Sequence, residues 1–385
     1  MAASAVELSK SIDIDRQNIE HALKLAADAI GVSDPNPRVG CVIGFSDGRI
    51  LAAGSTQQVG GPHAEVVALQ KASAAGHSVK GATAWVTLEP CAHHGRTPPC
   101  CDALISAGLK RVVIAGIDPH KCVNGLGVAK LQAAGLEVSI APPELVASAR
   151  ELNIGFFSRH QRGRPWVRMK VAITLDGKTA LSNGVSQWIT SPDARLDGHR
   201  WRKRSGAILT GIGTVLADDP RLDVRLVPTL TQPLRVVADS HLRTPLDARV
   251  LSAPGMTLIC GSELHVQRAA PLTQLGAQVE VFRAVDGTVD LAALLHELSL
   301  RQVNELHVEA GGKLNAALLR AGLVDEMLIY LAPRLVGPGL DMAALPSLHQ
   351  LSDALEFEFV DFALVGADLR IVARSPQGIA FVHEP

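Results

Sequence analysis

The stretch TLEPCAHHGRTPPCC, residues 87–101, places three cysteines and two histidines within fifteen positions. Three arrangements can hold such residues: a disulfide pair, a closed metal knuckle or an open reactive site. The chain upstream narrows the choice. GGPHAEVVAL, 60–69, reads as a helix start, Gly-Gly-Pro followed by an apolar periodic run, with Pro62 suited to the first turn. His63 and Glu65 are two apart, which in mid-helix would aim them about 200° from one another. At a helix N-terminus both can curl toward one point. Cys91 follows a strand and Pro90, and Cys100 follows Pro98-Pro99 and opens the next helix. Helix N-termini lower thiol pKa and favour thiolate, the form that binds metal. One imidazole and two thiolates therefore make a three-ligand zinc site with its fourth position left for water. Glu65, adjacent and unligated, is placed to relay protons, as in the His-x-Glu … Pro-Cys … Cys pattern of zinc deaminases.

That pattern carries two residues between its cysteines, whereas this chain carries eight, AHHGRTPP, read as a loop that lines a substrate pocket. Two alternatives stay open at this level. Cys101 can compete with Cys100, and His93 or His94 can close the site into a structural zinc. Cys41 and Cys122 read as core or loop thiols.

Outward from the motif, strand and helix patterns alternate. A helix is expected over 16–30, strands over 39–45, 49–54 and 81–89, then the helix CDALISAGL, the strand RVVIAGI, the helix GVAKLQAAG and the strand LEVSI. Residues 1–15 read as a flexible tail and 16–155 as the first domain. The polar, basic stretch ELNIGFFSRHQRGRP, 151–165, reads as a linker. A second α/β domain is expected over 164–385.

Composition sets the outer limits. A chain of 385 residues is longer than one core usually fills. A net charge of −1 and 3% aromatic residues give neither the basic footprint nor the stacking platforms of nucleic-acid grooves. No run of eighteen apolar residues appears, so no membrane span is expected. The start MAASAVELSKSIDIDRQ has no apolar core before a cleavage site, so the expectation is a cytoplasmic protein whose six cysteines stay reduced.

SDPNPRVG (33–40), HAEVVAL, GATAWVTLEPCAHHGRTPPCCDALI and GLVDE together resemble the bifunctional riboflavin-biosynthesis deaminase/reductase family, over about residues 16–375. The resemblance implies a cytidine-deaminase-like three-layer α/β/α domain followed by a dihydrofolate-reductase-like α/β domain. It also implies pyrimidine ribotide substrates, Zn2+ and NADPH as cofactors, no nucleic-acid or membrane partner, and a homo-oligomer, dimer or tetramer. It makes His63, Cys91 and Cys100 the zinc ligands, Glu65 the proton shuttle and Asn36 a substrate contact. One departure is DPHKCVNG, 118–125, where the family usually reads Asp-Pro-Asn-Pro.

In the second half no Gly-x-Gly-x-x-Gly fingerprint lies between a strand and a helix. LHVEAGGKLNAALLRAGLVDE, 306–326, instead offers strand, Gly-Gly and helix, an arrangement that can cradle a phosphate or simply turn the chain. The resemblance decides for the cofactor. By position it implies NADPH contacts at Ala172, Trp188, Thr190, Thr214, Asp218, Ser240, Gly311, Gly312, Lys313, Leu314 and Asn315. It implies substrate contacts at Lys170, Ser186, Arg202, Leu222, Arg225 and Glu309, with Arg202 and Arg225 read as a clamp on the sugar phosphate. Asp223 stands where the family usually has threonine.

Overall fold

A computed structural model describes residues 5–95, 98–121, 123–263 and 266–383. The chain divides into two compact units, 1–162 and 163–385.

The first unit runs α1 (Ala5–Ala27), β1 (Gly40–Gly44), β2 (Ile50–Ser55), α2 (Ala64–Ala74), β3 (Thr83–Val86), α3 (Cys100–Ser106), β4 (Arg111–Ile114), α4 (Leu126–Ala133), β5 (Glu137–Ile140), α5 (Pro143–Leu152) and α6 (Ile154–Arg162). Its sheet has the order β2-β1-β3-β4-β5, with β1 antiparallel to both neighbours and β3, β4 and β5 parallel. Helices α1 and α5 pack together on the sheet, and α2, α3 and α4 form a second layer. Small residues let the layers close. A Cβ on Gly40 would meet the Ala22 carbonyl of α1, and one on Gly54 would lie 2.8 Å from the Ala64 carbonyl and the Ala68 nitrogen of α2. Gly54 thus seats the start of α2, with His63 at its cap, directly on β2.

Two expectations need correction. Residues 5–15, read as tail, are helical, and Asp15 explains the anchoring. Its carboxylate accepts from the Trp85 Nε1–H at 2.7 Å and from both terminal nitrogens of Arg111 at 2.8 and 2.7 Å. The supposed linker is largely α6. Ile154, Phe156 and Phe157 are buried, and the charges that made the stretch look solvated are engaged: Arg162 donates to Ser158, Arg164 pairs with Asp325, and Arg159, like Arg150 just before the stretch, lies over a ring. Arg150 sits 4.7 Å from the Phe157 centroid and Arg159 5.6 Å from that of Phe156.

The second unit runs β6 (Trp166–Thr174), β7 (Lys178–Leu181), α7 (Pro192–Arg204), β8 (Ala207–Gly211), α8 (Ile212–Asp218), β9 (Leu234–Ala238), α9 (Arg249–Ser252), β10 (Thr257–Gly261), α10 (Val266–Gln274), β11 (Gln278–Val281), α11 (Leu291–Leu300), β12 (Glu305–Val308), α12 (Gly312–Arg320), β13 (Glu326–Ala332), β14 (Gly339–Asp341), β15 (Glu358–Val365), β16 (Asp368–Arg374) and α13 (Pro376–His383). Nine strands form one sheet, β11-β10-β9-β8-β12-β6-β13-β16-β15, parallel from β11 to β13 and antiparallel at β16 and β15. Met169, Leu209, Leu306, Val308, Leu298 and Leu318 join in its main core. The parallel strands read as apolar runs because helices cover them. Buried ion pairs tie their starting ends together: Arg168 reaches Glu326 at 2.5 Å and Glu305 at 2.8 Å, and all three side chains are almost fully buried.

Candidate active sites

In the first unit His63 is the N-cap of α2 and Glu65 lies in its first turn, while Pro62 precedes the helix rather than starting it. Cys100 opens α3. His63 Nδ1 lies 3.3 Å from Cys100 Sγ and 3.6 Å from Cys91 Sγ, and the Cys100 backbone N–H donates to Cys91 Sγ at 3.3 Å. A tetrahedral zinc ion with bonds of about 2.0 Å to nitrogen and about 2.3 Å to sulfur would separate such atoms by about 3.5 Å, so the trio fits the metal. Among the described residues it is the one group of three or more ligand-type side chains close enough to share an ion. The Cys100 hydrogen bond and His63 pull the Cys91 thiol down to about 4, while its thiolate raises Cys100. A bound dication would take the place of the proton they share.

The alternatives left open by the sequence resolve. The Cys101 thiol turns away and donates to the Pro90 and Gly127 carbonyls at 3.2 and 3.6 Å, and burial pushes it up to about 12. His93 and His94 are exposed and outside the trio. Cys41 is a buried core thiol on β1, and Cys122 lies outside the described residues. Glu65 is 3% exposed. Burial, then the Cys91 thiolate, pushes its carboxyl up to about 7. Asn36 follows the Asp34–Pro35 bond, and the turn is fixed by Asn153, which accepts from the Arg38 N–H at 2.7 Å and donates to the Arg38 carbonyl at 2.9 Å.

Glu89 was not among the expected site residues. It is buried, and its carboxylate accepts the backbone N–H groups of Asp118, Gly125 and Val128 at 3.2, 2.9 and 3.0 Å. It thereby locks the loop bearing Pro90 and Cys91 to the loop that departs from the family pattern. Gly127 completes the joint, since a Cβ there would come within 2.1 Å of the Pro90 carbonyl. The adjacent Glu-Pro-Cys was the available signal.

In the second unit several of the expected cofactor contacts follow the carboxyl ends of parallel strands, where open α/β sheets bind ligands. Thr214 and Asp218 lie in α8 after β8, Ser240 follows β9, and Gly311 caps α12 after β12. A Cβ on Gly311 would lie 3.5 Å from Thr214 Oγ1, and one on Gly312 would crowd the Asp341 carbonyl at 3.1 Å. That is a backbone cradle at a helix N-terminus, which suits a dinucleotide phosphate. Lys313 is exposed beside it. Leu314 packs against the core, and the Asn315 amide donates to the Ala310 and Met342 carbonyls at 3.1 and 2.7 Å, so both shape the cradle from behind. Ser186 donates to Asp218 at 3.3 Å, joining an expected substrate contact to an expected cofactor contact. Trp188 is 58% exposed, with the Arg195 guanidinium 4.4 Å from its ring centroid, and Arg195 also donates to the Thr190 carbonyl at 2.8 Å. Ala172 lies on β6 near Tyr330.

The expected substrate cations are engaged within the chain. Arg202 grips Glu309 with two bonds, 2.5 and 2.8 Å, and donates to the Asp223 carbonyl at 2.9 Å. Burial alone would raise Glu309, but Arg202 holds it well below the usual carboxylate range. Arg225 is half exposed, and Asp223 takes one of its terminal nitrogens at 2.7 Å. The two arginines therefore do not form an open clamp: Arg202 is spent on Glu309, and Arg225 alone faces outward. Burial lowers Lys170, opposed by Glu309. The Leu222 side chain is buried in the core with its backbone at φ 51, so only its backbone is presented.

Two families match the two units: the cytidine and deoxycytidylate deaminase zinc-binding region over residues 13–116, and the RibD C-terminal domain over 165–370. Riboflavin biosynthesis protein RibD of Escherichia coli is 45% identical over 368 residues, covering 92% of this chain and 98% of that protein. This chain belongs to the RibD family. RibD of Aquifex aeolicus is 39% identical over 359 residues, covering 93% of this chain and 98% of that protein. Among solved structures, Acinetobacter baumannii RibD superposes with a TM-score of 0.86 at 39% identity, covering 95% of this chain and 100% of that one. A Thermotoga maritima diaminohydroxyphosphoribosylaminopyrimidine deaminase/5-amino-6-(5-phosphoribosylamino)uracil reductase superposes at 0.83 with 31% identity, covering 94% and 99%. As a RibD-family member the chain is a bifunctional enzyme of riboflavin biosynthesis, with a zinc-binding deaminase unit and a reductase unit. The Glu89 joint and the Arg202–Glu309 grip are therefore parts of a deaminase and a reductase respectively.

Proposed function

We propose that the first unit hydrolyses the ring amino group of a diaminopyrimidine ribotide, and that the second reduces the resulting 5-amino-6-(5-phosphoribosylamino)uracil to its ribitylamino product. The observation that carries this reading is the convergence of His63, Cys91 and Cys100 beside a buried carboxyl, Glu65, that ligates nothing. These three hold the zinc, which when bound supplies water activated at neutral pH. Glu65 takes the proton of the attacking water and passes it to the departing amine, a task suited to a carboxyl poised near 7. Asn36 orients the pyrimidine.

NADPH, when bound, supplies hydride to the sugar carbon that carries the amine. The Gly311–Asn315 turn, Thr214, Asp218 and Ser240 hold its phosphates and ribose, and Ala172, Trp188 and Thr190 flank its reactive end. Lys170, Glu309, Ser186, Arg202 and the Leu222 backbone position the sugar, and Arg225 meets the substrate phosphate. Glu309, fixed as an anion, holds and orients and does not give up a proton. The decisive experiment supplies the purified chain with the diaminopyrimidine ribotide and NADPH and scores ammonia and NADP+ separately. Ammonia should appear first, and the deaminated ribotide alone should oxidise NADPH. Absence of either product sinks the corresponding half.

The same reading places the enzyme in the cytoplasm as a homo-oligomer, dimer or tetramer. Support comes from five free cysteines among the described residues and from the exposed edge strand β15, with Phe359 and Phe362 uncovered. No helix among the described residues is long and apolar enough to cross a membrane. A monomer in analytical ultracentrifugation would refute the assembly.

A further inference from the structure

Arg225, the proposed contact for the substrate phosphate, stands on a stretch with no regular structure of its own. Residues 223–225 lie in no helix or strand, and they make no backbone–backbone hydrogen bond among the described residues. Side chains hold them instead. The Asp223 carbonyl accepts from Arg202 of α7 at 2.9 Å. Gln232 takes both backbone groups of Val224, accepting from its N–H and donating to its carbonyl, each at 2.8 Å. The Arg225 N–H donates to His199 Nδ1, also on α7, at 3.2 Å.

His199 and Arg202 lie three positions apart in α7, so one helix face takes both a carbonyl and an N–H of the same stretch. His199 suits this task because its buried ring is neutral. Burial, then Arg202 and Arg225, push it down to about 4, which leaves Nδ1 as an acceptor. The side chains of Leu222, Asp223 and Val224 are buried, so the stretch is fastened at its root while Arg225 is half exposed. Arg225 gives Asp223 one terminal nitrogen, at 2.7 Å, and its remaining guanidinium N–H groups have no partner among the described residues.

We propose that His199 and Gln232 are positioning residues for substrate recognition in the second unit: by fixing the 223–225 backbone they hold the Arg225 guanidinium where the phosphate of the ribotide arrives. A cation on a loose loop would lose conformational freedom on binding. Held in advance, it meets the anion without that loss and keeps N–H groups to offer to two phosphate oxygens.

This inference rests on the reading of Arg225 as the phosphate contact, and its test separates the two. NADPH oxidation is measured with the deaminated ribotide and with its dephosphorylated riboside, and urea unfolding is followed in parallel. The chains compared are the unaltered one, His199→Leu, His199→Asn, Gln232→Met and Arg225→Gln. His199→Leu and Gln232→Met should each lower the preference for ribotide over riboside, as a ratio of kcat/KM, by about tenfold, through a higher ribotide KM with kcat little changed. His199→Asn keeps an acceptor at the δ position and should restore most of that preference. A preference within about twofold of the original in His199→Leu and Gln232→Met, while Arg225→Gln lowers it, overturns the positioning role and leaves the Arg225 reading standing. An equal loss with both substrates, the mark of a merely structural part, overturns the positioning role as well. A preference unchanged in Arg225→Gln, or no NADPH oxidation by the unaltered chain, overturns both.

Discussion

Glu65 and Glu309 are both glutamates carried largely out of water, one in each unit, and they are held in opposite states. Glu65 lies in no side-chain ion pair of the kind that holds Glu309, and burial, then the Cys91 thiolate, pushes its carboxyl up to about 7, ready to take and return a proton. Glu309 is clasped by Arg202 and fixed as an anion. The difference is one partner, not depth. A hydrolase needs a group that changes protonation during the reaction, whereas a hydride-transfer site needs fixed charges that orient a sugar. The units spend the same residue type on these two needs.

Breaking the first half of the comparison should give the largest effect. Glu65→Ala should cut ammonia release by about a thousandfold, the middle of the range for general acid–base groups. Zinc content and NADPH oxidation with the deaminated ribotide should persist. Turnover close to that of the unaltered chain would remove the proton-relay role. Glu309→Gln attacks the other half by leaving Arg202 buried and unpaired. The second unit should lose about 3 kcal/mol of stability in denaturant, with reductase activity falling while ammonia release continues. An unchanged unfolding midpoint would mean that the pair does not organise the site.

Acid should distinguish the units as well. Glu309 has a depressed folded-state pKa, so its contribution is present above the ordinary carboxylate pKa of about 4.3 and is lost as pH falls through the folded value. The second unit should therefore weaken below about pH 4, and Glu309→Gln should flatten that dependence in urea titrations. The smallest effect sharpens the picture at the substrate cation. Asp223→Thr, removing the carboxylate that engages Arg225, should lower the reductase KM roughly threefold, the scale of a partly exposed ion pair. A rise in KM would show that Asp223 aims Arg225 instead of diverting it.

The metal site was legible in the sequence because its signals are local. Prolines at 62, 90 and 99 mark turns, and each ligand sits within a residue or two of one. The strands of the first unit were legible for a similar reason, as short apolar runs bounded by turn residues. What escaped depends on contacts between distant parts of the chain. Residues 154–162 looked like a linker because Arg159 lies over Phe156 and Arg162 is held by Ser158, contacts that sequence polarity does not register. Asp15 pins the first helix through Trp85 and Arg111, seventy and ninety-six residues away. In the second unit, position implied a phosphate clamp from Arg202 and Arg225. Only the fold shows that Arg202 already has Glu309, because β12 runs beside β8 and the α7 helix crosses near it.

The central claim is a zinc ion held by three protein atoms beside an idle carboxyl. An anomalous-difference map at the zinc edge, on crystals of active enzyme, tests it most directly. One peak bounded by His63 Nδ1, Cys91 Sγ and Cys100 Sγ, with no fourth protein atom in bonding range, is the expected result. A peak closed by Glu65 or another side chain, or active crystals with no peak there, would contradict the account.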